Sequence, residues 1–250
     1  MCRKSLFLHA LFSLRHFIAT IVTFPKRRNV SAVVFCFPAT LFPGYFLHTG
    51  NTFRGMAYIS DLSIAVICSS NMNRSMEAHG YLAKKRFKVR SFGTGDKVKL
   101  PGTAADKPNV YDFGVLYDDI YNDLCYKDKQ YYTQNGLLHM LDRNRRIKPA
   151  SEKFQLCTER FDIIVTAEER VYDQVIEFME SKTPVYNQPV HVLNIDIQDN
   201  HEDATIGAFL ICDMVTNMAQ SDDLDNDIDE ILHEFETKVE RSVLHCVLFY

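Results

Sequence analysis

The sequence lacks a Cys-x-x-Cys pair anywhere in its 250 residues. It has seven cysteines, an odd number, scattered at positions 2, 36, 68, 125, 157, 212 and 246. Structural zinc sites need closely spaced cysteine pairs, and disulfide frameworks normally use an even number of cysteines. The cysteine pattern therefore argues against a structural metal or a disulfide framework, and for a reducing compartment.

Acidic residues are absent before Asp61. Seven basic residues fall in that stretch; subtracting them from the total of 28 leaves 21 basic against 32 acidic residues from Asp61 onward, a net charge of −11. Nonspecific binding of nucleic acid needs clustered basic side chains that displace counterions from phosphates. The acidic part of the chain therefore argues against direct binding of nucleic acid.

An uninterrupted hydrophobic run is also missing, because Arg15 and two histidines break the apolar stretch from Ser5 to Phe24. An arginine at the centre of a membrane helix costs roughly 2.5–3.5 kcal/mol on insertion. A signal peptide would need an unbroken apolar core and a small-residue cleavage site. The composition fits a mitochondrial transit peptide somewhat better. We interpret residues 1–56 as a poorly ordered N-terminal extension outside the fold, with Met56 as an alternative start, and residues 57–250 as the domain.

The most specific pattern that is present runs from Cys68 to Ser75. A β-branched apolar run ends at Cys68, a loop of small and amide residues follows, and Arg74 and Ser75 open a stretch of helix formers. Between a buried strand and a helix, backbone N–H groups can point inward, and the helix N-terminus adds its positive dipole end. Such a position can lower a thiol pKa from about 8.5 to roughly 3.5–7.5.

Three side chains of this segment suit a phosphate site. The planar guanidinium of Arg74 matches phosphate oxygens bidentately. The Ser75 hydroxyl can donate to the thiolate, and the Asn71 amide can hold the backbone of the loop. The alternative is a structural cysteine that acts only as a small buried hydrophobe. The pattern predicts a nucleophilic Cys68 in a phosphate cradle formed by Ser69, Ser70, Asn71, Met72, Asn73, Arg74 and Ser75.

From Asp61 onward, strand and helix patterns alternate. This alternation predicts a three-layer, doubly wound α/β domain with a mainly parallel five-stranded sheet, whose ligands lie at the carboxyl ends of the strands. Residues 97–112 are expected to be a surface loop, and two helices over 117–127 and 134–145 are expected to form a helical insertion. The expected strands are 64–68, 87–91, 161–166, 190–195 and a buried 243–250, and the other helices 74–85, 168–181, 204–218 and 227–239.

Hydrolysis through a phosphocysteine also needs an acid at the same edge of the sheet. The fourth predicted strand runs into a polar loop that carries Asp196 and Asp199. A carboxylic acid there could protonate the leaving oxygen and then deprotonate water. His201 is a weaker candidate, and Asp199 or Asn200 could instead cap the next helix.

The cysteine loop and the later aspartate resemble those of low-molecular-weight phosphotyrosine phosphatases. Longer motifs are similar to a narrower family, the small cysteine-based phosphatases of the RNA polymerase II C-terminal domain, which work in the 3′-end processing complex. The similarity covers about residues 57–250. The motifs that carry it are 68–79, 89–95, 107–113, 132–136, 138–144, 168–174 and 196–201.

The resemblance implies roles for single residues. Cys68 would be the nucleophile, Arg74 the phosphate-binding arginine and Asp199, rather than Asp196, the general acid. Lys99 and Pro101 would contact the substrate. The implied substrate is phosphoserine at the fifth and seventh heptad positions, followed by a proline in cis, which is the minority conformer in free peptides.

The resemblance also implies partners and a location. Symplekin is the expected scaffold, the nucleus the expected compartment, and transcription and mRNA 3′-end processing the expected processes. No cofactor or metal is expected. Residues 1–56 match nothing in the family, and the departures at Met72 and Cys125 indicate a divergent paralogue.

Two alternatives stay open at this point. A low-molecular-weight tyrosine phosphatase would hydrolyse phosphotyrosine peptides faster than phosphoserine-proline peptides. A catalytically weak binding module would hold phosphopeptides tightly without turnover, although the intact Cys68, Arg74 and Asp199 argue against it.

Overall fold

The computed structural model describes residues 61–104 and 106–250. The predicted N-terminal extension, the alternative start at Met56 and the first residues of the predicted domain lie outside this part of the chain and stay predictions. The strands are β1 (Ser63–Cys68), β2 (Lys88–Gly93), β3 (Val98–Leu100), β4 (Asn109–Tyr111), β5 (Ile163–Thr166), β6 (Pro189–Asn194) and β7 (Leu244–Phe249). The helices are α1 (Arg74–Lys84), α2 (Tyr117–Gln134), α3 (Leu137–Ile147), α4 (Glu169–Glu180), α5 (His201–Met218) and α6 (Leu224–Val239).

Five of the strands form one sheet in the order β2-β1-β5-β6-β7. β2, β1, β5 and β6 are parallel, and β7 pairs antiparallel with β6. Strands covered on both faces read as continuous apolar runs, and Ile64–Ile67 are all fully buried. The predicted doubly wound, mainly parallel five-stranded sheet is confirmed.

Helices cover both faces of this sheet and complete the three layers. α1, α5 and α6 pack on one face, where Ile64 and Val66 of β1 point. α4 packs on the other face, where Ala65 and Ile67 of β1 meet Phe92, Phe154 and Phe161. The alternation along β1 follows from the two-residue period of a strand.

The insertion contains more structure than the sequence pattern predicts. Residues 97–112 are not simply a surface loop, because β3 and β4 pair antiparallel within them. Val98 and Leu100 are buried and share a core with α2, α3 and Met72 of the cysteine loop. Strands of three residues are too short to show a period. α2 also continues past its predicted end, with a non-helical residue at Asp128.

The apolar sequence of the last strand predicts that it is buried. In the structure it lies at an edge of the sheet instead. Leu244, Val247 and Phe249 are 39%, 41% and 48% exposed. Among the strands of residues 61–104 and 106–250, β7 pairs with β6 alone. The five cysteines in the described part of the chain are free thiols. No helix within residues 61–104 and 106–250 has the length and apolar character to cross a membrane.

His79 makes the stability of this fold depend on pH. Its side chain is buried, and its Nδ1 lies 2.8 Å from Ser91 Oγ. Burial, aided by the charges of Lys148 and Arg90, lowers the pKa of His79 from 6.5 to about 4. The unfolded chain therefore binds more protons than the folded chain between these two values. The stabilising neutral form is fully present above the unfolded pKa, and stability falls as the pH drops toward the folded one.

We expect a His79→Gln variant to lose less unfolding free energy than the wild type between pH 6.5 and 4.5. The difference should be on the order of 2 kcal/mol. Urea unfolding at a series of pH values measures it, with the exposed His139→Gln as a matched control. Equal pH slopes in wild type and His79→Gln would contradict the assignment.

Candidate active site

Cys68 is the last residue of β1, and residues 69–73 join it to the first turn of α1. β2 ends beside it at Gly93, and the segments after β5 and β6 begin at the same edge of the sheet. Cys68 is 3% exposed. The predicted nucleophile therefore lies at the carboxyl edge of the parallel strands, where doubly wound folds bind their ligands.

The first half of the cysteine loop is held by the turn that follows β2. The Cys68 carbonyl accepts a hydrogen bond from the Thr94 N–H at 3.1 Å, and the Ser69 carbonyl accepts one from the Gly95 N–H at 2.9 Å. The loop and this turn lie so close that a Cβ on Gly93 would sit 2.8 Å from the Ser69 oxygen. Glycine at position 93 is what permits this approach.

The second half is held by the insertion. The Tyr117 hydroxyl donates to the Asn71 carbonyl at 2.7 Å. The Met72 carbonyl accepts from Arg143 Nη2 at 2.9 Å and from Asn144 Nδ2 at 2.8 Å. Side chains from α2 and α3 thus fix two carbonyls that belong to the loop.

These contacts determine where the N–H groups of the loop point. In a trans peptide unit, the N–H of one residue points opposite to the carbonyl of the residue before it, and the described residues contain no cis peptide bond. The carbonyls of residues 68, 69, 71 and 72 are held outward, so the N–H groups of residues 69, 70, 72 and 73 turn inward. Within the described chain, no backbone N–H of residues 69–73 has a hydrogen-bond acceptor. An inward set of free N–H groups before a helix N-terminus is a binding site for an oxyanion.

Asn71 and Ser75 connect this loop to the cysteine sulfur. Asn71 has φ +53°, a left-handed conformation that asparagine tolerates better than most residues. Its Nδ2 donates to Ser75 Oγ at 3.0 Å, and its Oδ1 accepts from the Glu152 N–H at 3.0 Å. Ser75 Oγ lies 3.1 Å from Cys68 Sγ. Because Ser75 Oγ accepts from Asn71, its own proton is available for a hydrogen bond to the sulfur.

Arg74 lies beside the loop with one edge of its guanidinium fixed. Its Nη1 donates to the Ala167 carbonyl at 3.2 Å and to the Ile197 carbonyl at 2.9 Å, in the segments that follow β5 and β6. Its Nη2 donates to Glu168 Oε2 at 2.8 Å. Its Nε is buried and has no partner in the described part of the chain. The guanidinium therefore keeps N–H groups for a further acceptor with two oxygens.

The charges around Arg74 balance its burial. Burial alone would lower its pKa, but the negative charges of Cys68, Asp199 and Glu168 raise the pKa of the guanidinium above its usual value. Burial would raise the pKa of Glu168, and the hydrogen bond and charge of Arg74, with the charge of Arg170, lower it instead. The site therefore holds a charged guanidinium and a charged carboxylate side by side.

The two acid candidates have different surroundings. Asp199 Oδ1 accepts from Asn73 Nδ2 at 3.0 Å, and its Oδ2 lies 3.5 Å from Arg74 Nη2. Asp196 accepts from the Glu169 N–H at 3.0 Å and from Asn194 at 3.0 Å. Asp196 is thus bound to the start of α4, whereas Asp199 reaches the cysteine loop.

The sequence left open whether Asp199 or Asn200 caps the next helix, and in the structure the cap is Asn200. Asn200 is the N-cap of α5, and its Oδ1 accepts from the Asp203 N–H at 2.9 Å. Asp199 is therefore not needed as a cap. His201 is the first residue of α5 and is exposed.

Lys99 and Pro101 stand apart from the other predicted site residues. Lys99 is an exposed residue of β3, and Pro101 follows that strand. The Pro101 carbonyl accepts from Asn109 Nδ2 at 3.0 Å, which is a contact inside the hairpin. Among the described residues, neither has a polar contact with residues 68–75. Their role toward a substrate stays a prediction.

Four residues that support the loop have no role predicted from the sequence. They contact it from α2, α3 and the start of α4, more than 40 positions away along the chain. Arg143, Asn144 and Glu168 belong to motifs that carry the family resemblance, and this was the only available signal. The four are Tyr117, Arg143, Asn144 and Glu168.

Comparison with known proteins places this geometry in a family. A family model described as "Ssu72-like protein" matches residues 62–250. The chain is 63% identical over 191 residues to the mouse RNA polymerase II C-terminal domain phosphatase SSU72, covering 76% of this chain and 98% of the relative. It is 52% identical over 197 residues to the Caenorhabditis elegans phosphatase ssup-72, covering 78% of this chain and 100% of the relative.

Solved structures give the same result. The structure of Drosophila melanogaster Ssu72 and Symplekin bound to a cis peptidomimetic CTD phospho-Ser5 peptide matches with a TM-score of 0.75 and 65% identity. A second structure of the D. melanogaster serine phosphatase of the RNA polymerase II CTD matches with a TM-score of 0.75 and 67% identity. Each match covers 76% of this chain and 100% of the solved chain. From residue 62 to residue 250, the chain belongs to the Ssu72-like family.

Proposed function

We propose that this chain is a cysteine-dependent protein phosphatase that hydrolyses phosphoserine before proline in the C-terminal domain of RNA polymerase II. The observation that carries the proposal is the set of inward N–H groups of residues 69, 70, 72 and 73 between the Cys68 sulfur and the guanidinium of Arg74. This arrangement suits the three non-bridging oxygens of a phosphate monoester. The substrate class comes from the relatives, since the chain is 63% and 52% identical to two phosphatases of the RNA polymerase II C-terminal domain.

In the first step, the Cys68 thiolate attacks phosphorus, the S–P bond forms and the bond from phosphorus to the serine oxygen breaks. Asp199, held by Asn73, gives its proton to the leaving serine oxygen. The loop N–H groups and Arg74 stabilise the charge on the three equatorial oxygens. The products are a dephosphorylated serine and a phosphocysteine.

In the second step, water attacks the phosphocysteine. The Asp199 carboxylate, now deprotonated, takes a proton from this water, and the S–P bond breaks. The sulfur leaves as a thiolate that the Ser75 hydroxyl, 3.1 Å away, can stabilise. Inorganic phosphate then dissociates, and Asp199 is protonated again for the next cycle.

The peptide specificity that we propose is phosphoserine at the fifth and seventh heptad positions, with the following proline in cis. The D. melanogaster relative was solved with a cis peptidomimetic phospho-Ser5 peptide. A cis X–Pro bond is populated at only about 10–30% in free peptides, so its formation can limit the rate. We place Lys99 and Pro101 along the path of this peptide, beyond the phosphate loop.

We also propose a partner, a cellular location and a process for this chain. The D. melanogaster structure includes Symplekin, and a symplekin-like scaffold is the partner that we propose here. The substrate implies a nuclear location and a role in transcription and mRNA 3′-end processing. The acidic charge from Asp61 onward favours a peptide groove over direct binding of nucleic acid.

Phosphate release from synthetic heptad peptides tests this function. We expect the peptide phosphorylated at the fifth position to be hydrolysed faster than one phosphorylated at the second position or at tyrosine. Adding a prolyl isomerase should raise the rate at high enzyme concentration. Faster hydrolysis of phosphotyrosine would favour the tyrosine phosphatase alternative, and tight binding without turnover would favour the binding module.

The role of Asp199 is tested by varying the leaving group. We expect Asp199→Asn to lower kcat/KM, which reports the steps up to formation of the phosphocysteine, about 100- to 1000-fold on phosphoserine peptides, because the serine alkoxide needs a proton to leave. On p-nitrophenyl phosphate the loss should be much smaller, since nitrophenolate leaves without one. Steady-state kinetics on both substrates measure the difference. Asp196→Asn is the matched control and should keep activity on both; equal losses of Asp199→Asn on both substrates would contradict the role.

A further inference from the structure

Arg143 lies in α3 of the insertion and yet contacts the loop that carries the phosphate site. Its Nη2 donates to the Met72 carbonyl at 2.9 Å and to the Asn73 carbonyl at 3.3 Å. Asn144, next to it, donates from Nδ2 to the same Met72 carbonyl at 2.8 Å. One face of α3 is therefore bonded to the last two carbonyls before α1.

These two carbonyls set the direction of the next two N–H groups. The Met72 carbonyl belongs to the same peptide unit as the Asn73 N–H, and the Asn73 carbonyl to the same unit as the Arg74 N–H. The Asn73 carbonyl also accepts the first helical hydrogen bond, from the Glu77 N–H at 2.9 Å. A contact that holds both carbonyls outward keeps both N–H groups turned toward the position of the phosphate.

Arg143 is itself fixed in place from several sides. Its Nη1 forms an ion pair with Glu77 of α1. Its Nε and Nη2 donate to Asn144 Oδ1 at 3.0 and 2.9 Å. The side chains of Arg143 and Glu77 are only 21% and 14% exposed. A planar guanidinium is suited to this arrangement, because its N–H groups leave in fixed directions, whereas a lysine ammonium is a point charge.

We infer that Arg143 is a positioning residue for phosphoryl transfer, which aligns the Asn73 and Arg74 N–H groups by holding the Met72 and Asn73 carbonyls. The inference rests on the proposed phosphatase function and extends it to the helical insertion. Arg143 contacts the loop and not the substrate, so it acts on the transition state through the direction of backbone donors. Such donors stabilise charge only when they are aligned before the reaction.

Three variants distinguish the alignment of the backbone donors from the positive charge of Arg143 and from its effect on the stability of the fold. Arg143→Lys keeps the positive charge and loses the planar set of donors. Arg143→Met loses both and leaves the partly buried Glu77 carboxylate without its partner. The double variant Arg143→Met with Glu77→Gln removes that unpaired charge while leaving the loop carbonyls without Arg143. Arg145→Lys, an exposed arginine on the same helix that pairs with Asp118 and Asp142, is the matched control.

We expect Arg143→Met to lower kcat on p-nitrophenyl phosphate about 10- to 100-fold with little change in KM. Arg143→Lys should recover part of this loss. Affinity for orthovanadate, which adopts the geometry of the transition state, should fall by the same factor, whereas affinity for inorganic phosphate should fall much less. The double variant should regain the melting temperature of the wild type without regaining kcat.

Two results would overturn the inference. The first is a double variant that regains both melting temperature and kcat, since the defect would then be one of stability alone. The second is Arg143→Lys with the kcat of the wild type, since charge would then suffice. A wild type that hydrolyses p-nitrophenyl phosphate or binds orthovanadate, but hydrolyses no phosphoserine peptide, would refute the proposed substrate and leave this test of Arg143 intact.

Discussion

Cys68→Ser should lower the rate of phosphate release by about 10⁴-fold or more, because removing the nucleophile removes the phosphocysteine route altogether. A serine hydroxyl is a far weaker nucleophile at neutral pH, and the Ser75 hydroxyl near Cys68 Sγ can stabilise a thiolate but cannot act as a base. The loop N–H groups and Arg74 are unchanged in this variant. Binding of a phosphorylated heptad peptide should therefore be retained.

Phosphate release and calorimetric binding of the same peptide measure the two expectations together. Cys68 is buried, and serine is close to it in size, so the melting temperature should stay near that of the wild type. Cys125→Ser, at a partly exposed cysteine of α2, is the matched control and should keep full activity. Turnover by Cys68→Ser at a rate near that of the wild type would contradict the mechanism in which Cys68 is the nucleophile.

Arg74→Lys should lower kcat/KM by about 10³-fold, the second-largest loss that we expect from a single substitution. The guanidinium of Arg74 is fixed by the Ala167 and Ile197 carbonyls along one edge. That fixed orientation leaves Nε, and the Nη2 hydrogen that Glu168 does not accept, for two phosphate oxygens. A lysine ammonium keeps the charge, but it cannot bond both carbonyls and bind two oxygens in parallel.

Kinetics with p-nitrophenyl phosphate and with a phosphoserine peptide measure this loss, which should be similar on both substrates. This pattern distinguishes Arg74 from Asp199, whose loss should depend on the leaving group. Arg160→Lys, at a site near Tyr186, is the matched control. Activity of Arg74→Lys within about tenfold of the wild type would show that the planar donor set is not required.

The sheet could be predicted because its strands carry their own signals. Ile64–Cys68 is an unbroken apolar run and is buried on both faces. β3 and β4 could not be predicted, because each has three residues and Val98 and Leu100 gain their burial from distant segments, chiefly α2, α3 and the cysteine loop. β7 shows the opposite error: its apolar residues predict burial, but its position at the sheet edge leaves several of them exposed.

The residues of the site also fall into two groups: those close together in the sequence, and those that the fold brings in from distant segments. Cys68, Arg74 and Ser75 lie within eight consecutive residues, so their residue types and spacing carry the prediction. The local residue pattern could not choose between Asp196 and Asp199, because they differ in which backbone and side-chain groups they meet, and only the family resemblance pointed to Asp199. Tyr117 and Arg143 were missed for a stronger reason. Their contacts with the loop depend on how the insertion packs, and no local pattern records that.

The free N–H groups of residues 69–73 also link the stability of the whole domain to the solutes around it. Any oxyanion that binds them binds the folded chain and not the unfolded one. By mass action, an anion at 100 times its dissociation constant adds about 2.7 kcal/mol to the free energy of unfolding. Phosphate, which the reaction releases, would then act both as an inhibitor and as a stabiliser of the protein that produces it.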